Sequence, residues 1–253
     1  MKPSQDTAAR PSGRLVLLDE IRGLTLISMI LYHFIWDLVN IAGFPLTWYH
    51  GRGAYVWQQS ICWTFIFLSG FCFPLGRRHL RRGLTVWLSG GLVTLVTLVF
   101  LPQDRVVFGV LTLLGSCMLL MIPLDRALGR VRRRDALIGL AGAAFNTFIC
   151  LHLYMPRRLP GIRSGLFLTW LGFPKTGFYS TDYFPMLPWF FLFLTGYLVH
   201  GICSRSGVLE KNFLRRTRLA PAAAIGRRSL PVYLLHQPVL YGITLLVMRL
   251  AGR

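Results

Sequence analysis

The side chains best suited to chemistry are a histidine and a carboxylate within an otherwise apolar segment, RGLTLISMILYHFIWDL (22–38). His33 and Asp37 are four residues apart, so on an α-helix they share one face. A carboxylate one turn away can hold an imidazole in one tautomer and stabilise its protonated form, which a general base requires. We therefore predict that His33 acts as a base and that Asp37 is its orienting partner.

A second histidine lies in the last apolar segment, SLPVYLLHQPVLYGITLLVM (229–248), where it is followed by Gln237. Counted along a helix, His33 and His236 each lie roughly 10 to 15 Å from the cytoplasmic end of their segment. Their matched depths predict that the two rings meet across one cavity. There, His236 and Gln237 are candidate donors to an oxyanion or to a bound substrate.

Two other functions fit the same residues. A pair of facing histidines can ligate a haem iron between helices. Intramembrane histidine and aspartate side chains also form proton relays in transporters. A bis-histidine haem protein and a proton-coupled transporter of small molecules are therefore the alternatives to catalysis by His33.

Membrane-spanning helices must position these residues, as the composition indicates. Of the 253 residues, 54% are hydrophobic and 9 are Asp or Glu, which is too apolar for an ordinary soluble domain. The sequence predicts an all-α polytopic bundle of about seven transmembrane helices, a single domain over 14–253 preceded by a disordered cytoplasmic tail, 1–13. Seven windows reach the length of about 20 apolar residues that a span requires: 20–42, 54–75, 83–101, 106–124, 136–154, 185–203 and 229–249.

The basic residues predict the direction of the helices. The net charge is +19, but Lys and Arg occur in bursts between apolar segments and not along one solvated face, so nucleic acid is not an expected partner. The connections 76–83, 125–135 and 204–228 are rich in Arg, which places them on the cytoplasmic side. The N-terminus is then inside and the C-terminus outside. The outer connections are 43–53, 102–105 and 155–184.

Five segments, in order along the chain, together resemble one known family. They are LLDEIRGLTLISMILYHFIWDL (17–38), FIFLSGF (65–71), FGVLTLLG (108–115), TDYFPMLPWFFLFLTGYL (181–198) and GRRSLPVYLLHQPVL (226–240). The chain resembles the bacterial branch of the heparan-α-glucosaminide N-acetyltransferase catalytic-domain family from residue 14 to about residue 245. Its D-x-x-R-G sequence at 19–23 and its intramembrane histidine are also similar to the acyltransferase-three group.

The resemblance implies a multi-pass acyltransferase of the bacterial inner (cytoplasmic) membrane. Such an enzyme takes an acetyl or other acyl group from cytoplasmic acyl-coenzyme A. It passes the group to a sugar amine or hydroxyl of an extracytoplasmic glycan or amino-sugar acceptor. The resemblance implies His33 as the general base and His50 as a second candidate. Direct transfer and an acyl-histidine intermediate both stay open, as does a homodimer.

The implied co-substrate is acetyl-coenzyme A, whose phosphates require cations at the cytoplasmic end of the bundle. On the outer side, the candidate acceptor-binding residues are Asp182, Tyr183 and Trp189, joined by Gln237. No metal is expected, because the five cysteines lie in apolar segments without the spacing of ligands. The candidate coenzyme-binding residues are Arg22 with its neighbour Asp19, Arg77, Arg78, Arg81, Arg82, Arg227 and Arg228.

Overall fold

The computed structural model describes residues 13–131, 133–155 and 165–250. The regular secondary structure in these ranges consists of α-helices and short 3₁₀ helices, with no β-strand. The all-α class predicted from the sequence is therefore confirmed for this part of the chain. The α-helices are α1 (Val16–Asn40), α2 (Arg52–Phe71), α3 (His79–Phe100), α4 (Val110–Leu128), α5 (Arg134–Tyr154), α6 (Leu166–Leu171), α7 (Met186–Arg205), α8 (Ala220–Arg227) and α9 (Ser229–Leu250).

Six of these helices are long and apolar enough to cross a membrane, namely α1, α3, α4, α5, α7 and α9. The exception among the seven predicted spans is α2, which occupies most of the window 54–75. Its apolar residues are interrupted by the polar run Gln58, Gln59 and Ser60. The protein is thus a multi-pass membrane protein, whereas the count of seven spans and their direction stay predictions.

Two predicted segments fall partly outside the described residues. Of the expected disordered tail, 1–13, the structure describes Gly13 alone, and of the outer connection 155–184 it leaves out 156–164. The single-domain boundary at residue 14 stays a prediction. Two short helices were not foreseen, α6 in the outer connection and α8 in the Arg-rich connection 204–228.

The largest apolar core joins α2, α4, α5 and α7. Its fully buried side chains include Leu113, Met121, Phe148 and Phe193. A smaller core between α1, α2, α8 and α9 is built around Leu26, Met29 and Ile61. The candidate site lies where these two groups of helices face each other.

Helix α8 packs against the first turns of α1 at a distance that glycine alone permits. A Cβ atom on Gly23 would lie 1.9 Å from the carbonyl oxygen of Ala222, and one on Gly226 would lie 1.9 Å from that of Asp19. The Glu20 carboxylate accepts hydrogen bonds from the backbone N–H groups of Arg218 (2.6 Å) and Leu219 (2.8 Å), just before α8. Residues of the D-x-x-R-G sequence therefore hold α8, the helix that precedes α9, against the beginning of α1.

This packing predicts opposite effects for one substitution at two helical glycines. We expect Gly23→Ala to destabilise the protein by about 1–3 kcal/mol. The new methyl group would overlap the backbone of α8, which can make room only if the whole helix shifts. Gly91→Ala in α3 is the matched control, since no described atom outside the adjacent backbone of its own helix lies within 4 Å of its Cβ position. There, the higher helix propensity of alanine should leave stability equal or increased. Thermal unfolding in detergent checks both, and equal melting temperatures for the two variants would contradict the packing argument.

Candidate active site

A cavity of about 690 Å³ lies between the two groups of helices. Its walls come from α1, α2, α3, α4, the connection between α2 and α3, the segment before α7, the end of α8 and the start of α9. The apolar section of the wall includes Met29, Ile61, Phe65 and Leu114. The charged side chains of the wall are unevenly distributed along it.

Six arginines line the cavity where α1, α3 and α9 begin. Arg22 is partly buried and is held by two hydrogen bonds, to Asp19 Oδ1 (3.3 Å) and to Cys72 Sγ (3.1 Å). Asp19 also accepts from Arg14 (2.5 Å) and is buried outside the cavity, so it positions Arg22 and is not itself available to a ligand. The cavity-lining arginines are Arg22, Arg77, Arg78, Arg81, Arg82 and Arg227.

This arginine group is an anion-binding environment. Guanidinium groups bind phosphate through parallel N–H donors, and several of them together suit a polyphosphate. Arg228, which the sequence placed with them, is exposed and does not line the cavity. The reason is local: the chain turns at Arg228 between α8 and α9, and this turn directs Arg227 and Ser229 to the cavity.

His33 lies eleven residues beyond Arg22 on α1, roughly 16 Å farther along the helix axis. It lines the cavity, and its Nδ1 atom is 3.0 Å from the carbonyl oxygen of Met29. Because a carbonyl oxygen can only accept, Nδ1 must carry the hydrogen and donate it. In the neutral ring, Nε2 then keeps its lone pair, which is the state that a general base requires.

Asp37 does not supply the hydrogen bond that orients His33. The Met29 carbonyl does so, because a histidine on a helix can turn Nδ1 back to the carbonyl four residues earlier. Asp37 is fully buried beside the cavity, and its Oδ1 atom accepts a hydrogen bond from Gln237 Nε2 on α9 (2.8 Å). The predicted hydrogen bond between Asp37 and His33 is thus not formed, and Asp37 instead binds Gln237 on another helix.

His236 contacts His33, as their matched depths predict, but neither His236 nor Gln237 lines the cavity. The ring centroids are 4.9 Å apart with the planes tilted by 60°. His236 Nδ1 donates to the carbonyl oxygen of Tyr233, so in the neutral ring its Nε2 is an acceptor. His236 would therefore donate to an oxyanion only in its protonated form. A centroid separation this short also leaves no space for a porphyrin plane between the rings, which disfavours the haem alternative.

The other predicted residues are scattered. His50 is the last residue of the 3₁₀ turn Thr47–His50, is exposed and does not line the cavity. Tyr183 donates to the carbonyl oxygen of Thr169 (2.5 Å), and Trp189 is buried in the larger core against Phe148. Neither lines the cavity, because Tyr183, in the segment before α7, reaches α6, and Trp189, in α7, packs against α5.

Several residues of the site were missed from the sequence. Tyr32 lines the cavity next to His33 and packs against Tyr49, with ring centroids 5.3 Å apart. Tyr49, and not its neighbour His50, is the buried residue of the 3₁₀ turn, and burial raises the pKa of its hydroxyl well above the ordinary value. Gln58 and Tyr233 also line the cavity. A polar glutamine within a predicted span was a usable signal for Gln58.

Asp182 is the one carboxylate among the described residues that line the cavity. It lies beside the beginning of α4, where its Oδ2 atom accepts from the backbone N–H of Val110 (3.2 Å). Two further bonds join the segments here, from Val107 N to Ser180 Oγ (2.9 Å) and from Phe184 N to the Phe108 carbonyl (2.9 Å). They hold a carboxylate at the opposite end of the cavity from the arginines.

The position of Asp182 predicts a pH dependence of stability. Burial raises the pKa of this carboxyl to about 6, and the Val110 N–H offsets part of the rise. An unfolded chain loses the proton near pH 4, so raising the pH from about 4 to about 6 destabilises the folded state, by roughly 3 kcal/mol in total. Asp182→Asn keeps the acceptor for Val110 and removes the titration. We expect it to match the wild type at pH 4 and to melt several degrees higher at pH 7.

Thermal unfolding at the two pH values measures this difference. The exposed Asp135→Asn is the control, and it should follow the wild type at both values. If the melting temperatures of Asp182→Asn and the wild type differ by the same amount at pH 4 and at pH 7, burial does not raise the pKa of Asp182.

These features define a multi-pass membrane protein with an internal cavity that has cations at one end, a histidine along its wall and a carboxylate at the other end. Residues 14–238 match the family model described as heparan-alpha-glucosaminide N-acetyltransferase, catalytic. The match covers most of the chain, so the protein belongs to this family, which confirms the resemblance seen in the five segments. Membership implies an acetyltransferase. No curated protein and no solved structure matches the chain.

Proposed function

We propose that the protein transfers an acetyl group from cytoplasmic acetyl-coenzyme A to the amine or hydroxyl of a glycan or amino-sugar acceptor that enters from the outer side. One observation carries this proposal. The same cavity is lined by six arginines at one end, by His33 with a free Nε2 atom, and by the Asp182 carboxylate at the other end. A long anionic donor and a neutral or cationic acceptor suit these two ends.

The orientation follows from the charge distribution. Five of the six cavity arginines belong to the basic connections 76–83 and 204–228, which by the positive-inside rule lie in the cytoplasm, and Arg22 lies near the beginning of α1 at the same end of the cavity. Coenzyme A is present there, and its phosphates would stay near Arg22, Arg77 and Arg78. The apolar section of the wall, with Met29 and Leu114, then faces the thin pantetheine arm that carries the acetyl group toward His33.

Acetyl transfer requires few further groups from the protein. A thioester is already activated, so the site must hold the acceptor against its carbonyl carbon and accept one proton. His33 Nε2 takes the proton from the attacking amine or hydroxyl as the new C–N or C–O bond forms. The C–S bond then breaks, and His33 returns the proton to the thiolate of coenzyme A. Atoms and charges balance without a metal ion.

Oriented vesicles test the proposal. Labelled acetyl-coenzyme A is supplied on one side only, while a panel of amino sugars and neutral sugars is present on both sides. We expect labelled acceptor only when the donor is on the side that carries the connection 76–83, located by protease cleavage of a tag inserted there. Equal activity from either side would refute the sidedness. Transport of an unmodified solute without acetylation would favour the transporter alternative.

A further inference from the structure

A buried polar cluster joins α1 to α9 next to His33, outside the cavity. It consists of Asp37, which is 0% exposed, His236, which is 9% exposed, and Gln237. One hydrogen bond, from Gln237 Nε2 to Asp37 Oδ1 at 2.8 Å, connects the two helices. Among the described residues, three acceptor atoms of the cluster have no hydrogen-bond donor: Asp37 Oδ2, Gln237 Oε1 and His236 Nε2.

A charged Asp37 is poorly accommodated here. Burying an ionised carboxylate is costly unless it is paired with a cation, and buried acceptors without donors add to that cost. The ion pairs found in the described part of the chain involve Asp19 and leave Asp37 out. Among the described residues, the one hydrogen bond that the Asp37 side chain accepts comes from the neutral amide of Gln237. The cluster has an excess of acceptors and a shortage of hydrogens.

One added hydrogen resolves most of this deficit. A protonated carboxyl group has one O–H donor, so a hydrogen on Asp37 Oδ2 changes an unpartnered acceptor into a donor. Gln237 Oε1 and His236 Nε2 are the unpartnered acceptors of the same cluster. The same hydrogen removes the buried charge. A carboxyl group and a carboxamide also carry complementary donors and acceptors, so the neutral pair can bind more firmly than the charged one.

We propose that Asp37, Gln237 and His236 form a proton-holding site in which a neutral Asp37 carboxyl braces α1 against α9 and so positions His33 beside His236. In this arrangement Asp37 is a positioning residue and not the charged partner of an imidazolium. The brace lies one turn from His33 on α1 and is adjacent to His236 on α9. It therefore sets the 4.9 Å separation of the two rings.

The proposal is tested with full-length protein in lipid nanodiscs and two substitutions of Asp37. Asp37→Asn keeps the shape of a neutral carboxyl and supplies a hydrogen, whereas Asp37→Leu has similar size and no hydrogen bond. We expect Asp37→Asn to melt at or above the wild-type temperature, and Asp37→Leu to melt below it. In the acetyl-transfer assay, which rests on the proposed function, we expect Asp37→Asn to stay within about threefold of the wild-type kcat and Asp37→Leu to fall by about tenfold or more.

Infrared spectroscopy gives a readout that does not require activity. The difference spectrum of wild type minus Asp37→Asn at neutral pH should contain the carbonyl stretch of a protonated carboxyl group. The exposed Asp135→Asn is the control, and its difference spectrum should contain carboxylate bands instead. If no acetyl transfer is found with any acceptor, the melting and infrared results still decide this proposal by themselves.

Two results would overturn it. Carboxylate bands in the Asp37→Asn difference spectrum would show that Asp37 is ionised, with the hydrogen on His236 or absent. A loss of stability or activity in Asp37→Asn as large as in Asp37→Leu would show that the negative charge, and not the brace, is what the protein requires.

Discussion

Replacing His33 with alanine is expected to lower the rate of acetyl transfer by at least about 100-fold, the smaller contribution typical of a general base. His33 lines the cavity, and its Nδ1 atom is bound to the Met29 carbonyl, so its free Nε2 atom is placed to accept the proton of the acceptor. Because a base acts on the transition state, KM for acetyl-coenzyme A should change little while kcat falls. Steady-state kinetics in nanodiscs measures both constants.

Leu31→Ala is the matched control on the same helix, because Leu31 is 52% exposed and does not line the cavity. It should fold and turn over like the wild type. If His33→Ala keeps more than about a tenth of the wild-type kcat, the base is another residue. His50, the second histidine implied by the family resemblance, would then be replaced next.

Removing two cavity-lining arginines is expected to weaken the binding of acetyl-coenzyme A strongly. Arg77 and Arg78 line the cavity and are exposed, so Arg77→Gln with Arg78→Gln should not disturb packing. A charge-assisted hydrogen bond contributes about 1.5–3 kcal/mol, so losing two should raise KM for acetyl-coenzyme A by about 100-fold or more. The effect on kcat at saturating donor should be small.

The control for the Arg77/Arg78 double variant removes the same number of positive charges elsewhere in the chain. Arg133 and Arg134 are exposed at the beginning of α5 and do not line the cavity, so Arg133→Gln with Arg134→Gln should leave KM unchanged. Added salt should raise KM in the wild type more than in the Arg77/Arg78 variant, because screening acts on the same charges. Equal rises in KM for both double variants would assign the effect to the net charge of the basic connections and not to the two cavity-lining side chains.

The sequence by itself determined the features that depend on local geometry. The constant rise of a helix placed His33 and His236 at one depth, and the structure brings their rings to 4.9 Å. Of the seven apolar windows predicted as spans, six correspond to helices that are long and apolar enough to cross a membrane. The order of the five segments identified the family, which the match over 14–238 confirms. None of these features depends on which helices become neighbours.

The tertiary structure decided which side chains face the cavity. Trp189 and Tyr183 turn away from it, Asp182 and Gln58 turn toward it, and Asp37 binds Gln237, which is 200 residues away along the chain. A membrane helix is apolar on the face toward lipid as well as on the face toward its neighbours, so the pattern of apolar residues does not show which face is inside. That choice is made by close packing, as where Gly23 and Gly226 let α1 and α8 touch. Packing depends on shapes contributed by distant parts of the chain, and these shapes exist only once the chain has folded.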